Sequence, residues 1–286
     1  MARKQQNSRI LKLISIPGAL LFLYYPHHVI DSCFMENYKS YPVSENLLQD
    51  RVILVTGAGQ GIGRAAALAY AKCGATVILH GRKVDKLERV YDEIEVLGKA
   101  QPVIFSLDFE SAIDKDYMAM AQAIAHQLGR LDGILHNASF LFGTTPLENE
   151  TFEQWQTLLK INLMAPFALT RACLPLLKNA SDACVIMTVN THAHNPTAYW
   201  GGFAVAKGGV ESLVKIQAEE WEKSPNLRIN VVIPGPVNSP QRAMTHPGEV
   251  KHALPKPEEL MSTYLYLMGP DSKGISGQTI FCQSDK

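Results

Sequence analysis

Three glycines, Gly57, Gly61 and Gly63, punctuate the turn Thr56-Gly57-Ala58-Gly59-Gln60-Gly61-Ile62-Gly63. The turn joins a strand-like run, Val52–Thr56, to an alanine-rich helical stretch, Ile62–Cys73. Glycine lets the backbone approach a pyrophosphate closely. The following helix N-terminus adds unpaired N–H groups and the positive end of its dipole. The common spacing G-x-G-x-x-G fails, because its last place counted from Gly57 is Ile62; the spacing G-x-x-x-G-x-G is met. Such a turn alone is weak, but between a strand and a helix it points to a dinucleotide. The next strand ends Leu79-His80-Gly81-Arg82-Lys83, without the carboxylate that usually holds the ribose 2′-OH of NAD. Arg82 suits a 2′-phosphate, which it can grip bidentately. The expected cofactor is therefore NADP, with NAD the weaker reading. Further along, His192, His194 and Tyr199 follow a fifth strand-like run. A histidine titrating near neutrality can move a proton there.

The elements that must hold these groups alternate regularly. Strand-like runs at Val52–Thr56, Thr76–Leu79, Val103–Leu107, Gly133–His136, Cys184–Thr188, Arg228–Ile233 and Thr279–Phe281 are nearly continuous in apolar residues. Such runs suit a parallel sheet covered on both faces. Helical stretches lie between them at Ile62–Cys73, Val84–Leu97, Tyr117–Leu128, Thr151–Leu177, Phe203–Glu222 and Pro257–Met268. Pro166 and Pro175 mark kinks or ends in the longest. The fold class expected is α/β: a single doubly wound, Rossmann-type parallel sheet with helices on both faces. Residues 236–257 hold five prolines without regular period and read as a substrate lid.

The chain has 286 residues, enough for one large core. Lys+Arg and Asp+Glu are both 27, which argues against a broad nucleic-acid surface. Five scattered cysteines, without a C-x-x-C pair, read as reduced thiols of a cytoplasmic protein. No metal-ligand spacing and no G-x-S-x-G nucleophile turn is present. Residues 1–46 differ from the domain expected at 47–286. Basic residues Arg3, Lys4, Arg9 and Lys12 precede the apolar run Leu13–Tyr25, which is too short to span a bilayer. Three readings of this segment stand: a poorly ordered tail, a membrane-surface contact through residues 1–25, and a signal without a small-residue cleavage site. Met35 offers an alternative start.

From Leu47 to Phe281 the sequence resembles the short-chain dehydrogenase/reductase family. The resemblance rests on Thr56–Gly63, Asp108, His136-Asn137-Ala138-Ser139, Asn162, Lys207 and Pro234-Gly235. Leu48–Leu97 and Thr263–Met268 look most like its bacterial YciK-type oxidoreductases. The resemblance implies hydride transfer between a nicotinamide and a carbonyl or alcohol carbon, in a homodimer or homotetramer acting on a small molecule. It implies cofactor contacts at Thr56, Gly57, Gln60, Gly61, Ile62, Gly63, Arg82, Asp108, Asn137, Ala138, Lys207, Pro234 and Gly235. Gln60 stands where many NADP-preferring relatives carry a basic residue.

The same resemblance exposes a departure. The family's Y-x-x-x-K reads Phe203-Ala204-Val205-Ala206-Lys207, and its serine, thirteen places earlier, is Asn190. Of the catalytic four, Asn162 and Lys207 match. Phe203 has no proton to transfer, while Asn190 can still donate a hydrogen bond to a carbonyl oxygen. Tyr199, His192 and His194 are the candidate substitutes. The alternative is a catalytically impaired cofactor-binding scaffold or redox sensor.

Overall fold

The computed structural model describes residues 38–283. Its elements, in chain order, are β1 (Val52–Thr56), α1 (Gly61–Lys72), β2 (Thr76–Gly81), α2 (Val84–Glu95), β3 (Val103–Ser106), α3 (Asp114–Leu128) and β4 (Gly133–His136). Then come α4 (Phe152–Leu159), a π-helical turn (Lys160–Met164), α5 (Ala165–Asn179), β5 (Ala183–Thr188), α6 (Thr191–His194) and α7 (Gly201–Glu220). The last are β6 (Leu227–Ile233), α8 (Pro240–Thr245), α9 (Met261–Met268) and β7 (Thr279–Phe281). The strands form one parallel sheet in the order β3-β2-β1-β4-β5-β6-β7.

Both faces of that sheet are dry, which explains why its strands carry no polar alternation. Along β1, Ile53 and Val55 join one buried cluster, and Leu54 joins the other. The first cluster packs α1, α2 and α9 on the sheet; the second packs α3, α5 and α7 on the opposite face. Cys184 belongs to the first and Cys173 to the second, each wholly buried. The topology reverses between β1 and β4, and ligands of open α/β sheets bind outside the carboxyl ends at such a point.

The opposite end of the sheet carries a buried charge cluster. Arg51 donates to the Asp182 carboxylate at 2.9 Å and to its carbonyl at 2.6 Å. Arg228 reaches the other carboxylate oxygen of Asp182, donates to Ser272 Oγ at 3.0 Å, and donates to the Gly269 carbonyl at 2.8 Å. One carboxylate thus ties the entrances of β1, β5 and β6 together.

Two boundaries differ from the sequence expectation. The domain starts before residue 47: Tyr38 is 2% exposed, and its hydroxyl donates to the Phe281 carbonyl at 3.0 Å. Tyr41 donates to Asp271 at 2.7 Å, and Ser262 Oγ donates to the Lys39 carbonyl at 2.8 Å. The rings of Tyr38 and Tyr41 both pack on Tyr266 of α9. Residues 38–41 are therefore a strap fastened to the domain. The basic and apolar run, Cys33 and Met35 lie outside the described residues. The lid expected at 236–257 is also more ordered than a loop. Ser239 caps α8 by accepting from the Arg242 N–H at 3.2 Å, and Asn238 donates to the Pro255 carbonyl at 2.9 Å, closing the lid at its base.

Candidate active site

Two adjoining clefts open at the carboxyl ends of the central strands. The first, of about 440 Å³, runs from the glycine turn to the end of β2. Gly57 and Gly61 have φ of +68° and +56°, the left-handed region that favours glycine. A Cβ on Gly63 would stand 2.2 Å from the Gly57 carbonyl oxygen, and one on Gly57 2.9 Å from Ala138 Cα. The turn is thus as tight as a backbone allows. Helix α1 begins at Gly61 with no side-chain cap and no acidic residue in its first turn. Its first N–H groups are left for an external anion. The residues present therefore fit a dinucleotide pyrophosphate.

Thr56 plays a different part from the one expected. It is buried, lines neither cleft, and accepts from the backbone N–H of Asn137 and of Ala138, each at 3.0 Å. It braces the two loops that line the first cleft. Gly63 lies beneath the turn rather than on the cleft wall. Gln60, Gly61, Ile62, Asn137, Ala138, Arg82 and Asp108 all line the first cleft. Arg82 NH1 stands 3.9 Å from Asp108 and 3.8 Å from Glu110, and its guanidinium lies 5.6 Å from the Phe140 ring centre. Lys83 and Lys86 line the same wall. Lys86 was not legible as a site residue, having no motif around it. It extends from α2 to donate to the Gln60 side chain, so a cation sits beside the glycine turn after all.

The second cleft, of about 850 Å³, continues from the first towards the lid. Phe203, Lys207, Asn190, His192, Pro234 and Gly235 line it. Phe203 is 1% exposed and packs with Leu141, Leu158, Trp200 and Ala204. One helical turn on, Lys207 is buried and donates to the Thr188 carbonyl at 3.0 Å. Burial pulls its ammonium down to about 8. Asn190 Oδ1 caps α6, accepting from the Ala193 N–H at 2.9 Å. That leaves its NH2 as the donor available to the cleft.

The remaining candidates separate clearly. Asn162 sits in the π-helical turn and lines neither cleft. Its oxygen accepts from the Phe140 N–H at 3.0 Å, and its NH2 donates to the carbonyls of Phe140 and Leu158, both at 2.9 Å. It positions the loop after β4 and offers no side-chain group to a substrate. Tyr199 is 59% exposed at φ +75° and lines neither cleft, so it cannot replace the missing hydroxyl. His194 turns away to Glu211, at 2.9 Å. His192 stays in the cleft, stacked 4.2 Å from Trp200, with Thr197 Oγ1 2.8 Å from its Nδ1. Burial, then the charges of His246 and Arg242, lower its pKa. The lid contributes Arg242, His246 and Glu249, which the sequence did not single out. Among the described residues, no cluster of three metal-ligating side chains occurs.

Residues 51–249 match the short chain dehydrogenase family. The chain belongs to that family. It is 38% identical over 243 residues to an oxidoreductase, YciK, of Escherichia coli K12, covering 85% of this chain and 96% of that one. A short-chain dehydrogenase of Shigella flexneri 2a, solved in complex with NADP, superposes with a TM-score of 0.82 at 38% identity. The match covers 84% of this chain and all of the other. One from Escherichia coli CFT073, solved with NADPH, gives 0.81 at 39% identity over the same shares. Family membership accounts for the glycine turn and the sheet order. It makes the phenylalanine at 203 the feature that needs a chemical explanation.

Proposed function

We propose that this chain is an NADP(H)-linked oxidoreductase acting on a carbonyl or alcohol carbon of a small molecule. The observation that carries the proposal is the uncapped helix behind a tight glycine-rich turn, flanked by Arg82, Lys83 and Lys86. When bound, the cofactor supplies or accepts the hydride. The chain's own residues do the rest. The α1 N-terminus holds the diphosphate, Arg82 and Lys86 favour a 2′-phosphate, and Asp108 faces the adenosine end. Asn137, Pro234 and Gly235 wall the nicotinamide end. Asn190 NH2 donates to the substrate oxygen.

The proton is assigned to Lys207. It lies one turn below Phe203 on the same cleft wall, and a pKa of about 8 makes it a competent acid at neutral pH. Its transfer runs directly or through a water, in place of the tyrosine hydroxyl. His192 is the other titratable group on that wall from the original set. A second reading, a cofactor-binding scaffold or redox sensor without turnover, is favoured by Phe203 and Asn190, which replace the family's tyrosine and serine. Soluble cytoplasmic protein and a homodimer or homotetramer complete the proposal. Exposed Met164 and Phe167 beside α5, with Val205 and Ile216 on α7, supply the apolar patches an interface needs. Among the described residues, no helix is long and apolar enough to cross a membrane.

Titration by nicotinamide fluorescence tests the cofactor. NADPH should bind more tightly than NADH. Arg82→Ala should lower the NADPH preference about 10–100-fold, as expected for lost hydrogen bonds to a charged group. NADH binding at least as tight as NADPH would refute the assignment. The pH profile tests Lys207. The ammonium is the acid, so kcat/KM for carbonyl reduction should fall as pH rises through about 8. Alcohol oxidation should rise over the same range. A reduction rate flat from pH 7 to 10 would exclude Lys207 as the donor.

A further inference from the structure

The lid carries a histidine whose tautomer can be read from its neighbours. Thr245 Oγ1 stands 2.9 Å from His246 Nδ1. The same hydroxyl donates to the Gln241 carbonyl at 3.2 Å and reaches the Arg242 carbonyl at 3.4 Å. A threonine has one proton, and a carbonyl can only accept. The proton goes to the α8 backbone, so Thr245 Oγ1 accepts from His246 Nδ1–H. That bond sets the tautomer and leaves Nε2 as a lone pair. Burial, then the charge of Arg242, lowers the pKa of His246, against the opposing pull of Glu249, so the ring is neutral at pH 7.

The ring is also held in place. Its centre lies 6.0 Å from that of His192 and 6.2 Å from that of Trp200, and Trp200 lies 5.9 Å from Phe203. A chain of rings thus runs from the site of the missing hydroxyl out to the lid. Two polar atoms along it are set apart for a ligand. Asn190 offers its NH2 as a donor at the reacting end, beside Phe203 and Lys207. His246 Nε2 has no partner among the described residues and is the acceptor that the lid brings to the cleft. Arg242 and Glu249 are spent on each other, through Nε at 2.6 Å and NH2 at 2.9 Å. Between the two ends the wall includes Trp200, Ile233, Val237 and Leu254. At about 850 Å³ the cleft has room for a body much larger than the reacting carbonyl. A ligand that fills it and brings no donor to the lid strips water from the lone pair and returns nothing, which costs affinity. An ammonium is the wrong donor, because Arg242 acts on the same ring. A neutral hydroxyl meets the lone pair without adding charge.

We propose that His246 Nε2 accepts a hydrogen bond from a hydroxyl of the substrate, so that the chain prefers carbonyl compounds with an extended apolar body and a neutral hydroxyl remote from the reacting carbon. This deepens the oxidoreductase reading and rests on it. His246 is then a specificity-determining residue, supplied by the lid.

The test compares 3′-hydroxy- and 4′-hydroxybiphenyl-4-carbaldehyde with their methoxy ethers as NADPH-dependent substrates at pH 7. The ethers match the phenols in electronic effect but present oxygen to Nε2 without a proton. The better phenol should exceed its ether about 3–10-fold in kcat/KM, as expected for one net hydrogen bond. His246→Phe keeps a ring for the stack and removes the acceptor, so the ratio should fall near one. Thr245→Val removes the oxygen that sets the tautomer, and the ratio should fall partway. Retained NADPH binding shows that each variant is folded. A wild-type ratio near one for both phenols, or a preference that survives His246→Phe unchanged, overturns the proposal. An unchanged ratio in Thr245→Val overturns the tautomer on which it stands. If no aldehyde is reduced, the oxidoreductase reading fails separately. Binding of 4-phenylphenol against 4-methoxybiphenyl to the NADPH complex, followed by nicotinamide fluorescence, then decides the matter. Tighter binding of the phenol that His246→Phe abolishes supports the site, and equal binding overturns it.

Discussion

Phe203→Tyr raises carbonyl reduction by at most about 10²–10⁴-fold, the full contribution of a positioned general acid, less whatever Lys207 already supplies. The variant restores a hydroxyl one turn from Lys207 on a residue that already lines the cleft. The neighbouring ammonium favours the ionised phenol and so brings its pKa towards neutrality. The ring itself stays among Leu141, Leu158, Trp200 and Ala204, so the fold loses little. Adding Asn190→Ser should improve the alignment of the carbonyl, because Asn190 spends its oxygen on capping α6. The measurement is kcat/KM with NADPH for wild type and variant over the same aldehydes. Activity confined to the variant favours the scaffold reading of the natural chain. A variant no faster than a robust wild type shows that the natural proton route is already efficient, and this prediction fails.

Asp182→Ala is expected to cost about 3–5 kcal/mol of folding stability. The carboxylate carries Arg51 and Arg228, whose side chains are 10% and 4% exposed. Removing it strands two guanidinium groups away from water, and the loss is far larger than that of a surface pair. The cluster stands at the end of the sheet away from the clefts. Denaturant unfolding should therefore show a lower midpoint, while NADPH affinity of the folded protein is unmoved at 25 °C. An unchanged midpoint would mean that water reaches the two arginines without cost. The variant Asp182→Asn separates charge from hydrogen bonding: it should be destabilised less than Asp182→Ala.

How much of this was legible depended on the range of the forces involved. β1, β4 and β7 fell within the expected bounds to the residue, because a strand buried on both faces is a short apolar run bounded by polar turns. The helical stretch 151–177, with kinks or ends expected at Pro166 and Pro175, is α4 and α5 joined by a π-helical turn that places Asn162. Pro166 sits at the start of α5, directly after the π-helical turn, and Pro175 lies inside it. Helices α6 and α8 were missed. Each is too short for a period and rests on a capping side chain, Asn190 or Ser239. The strap was missed for another reason. The partners of Tyr38 and Tyr41 lie 243 and 230 residues away, so nothing near them in sequence announces the contact. The glycine turn and the absent tyrosine were legible because both are local. Lys86 and His246 were not, because each reaches its cleft from an element that carries no motif.

Cys173 and Cys184 lie under opposite faces of the sheet, wholly enclosed, and burial lifts both thiols, Cys173 to about 12. A thiolate is the form that alkylating agents attack, so neither sulfur reacts while its side of the molecule stays shut. Nature has thereby installed two clocks, one per layer. The pace at which each is labelled counts how often its own half comes apart, and comparing them tells whether the layers open together or in turn.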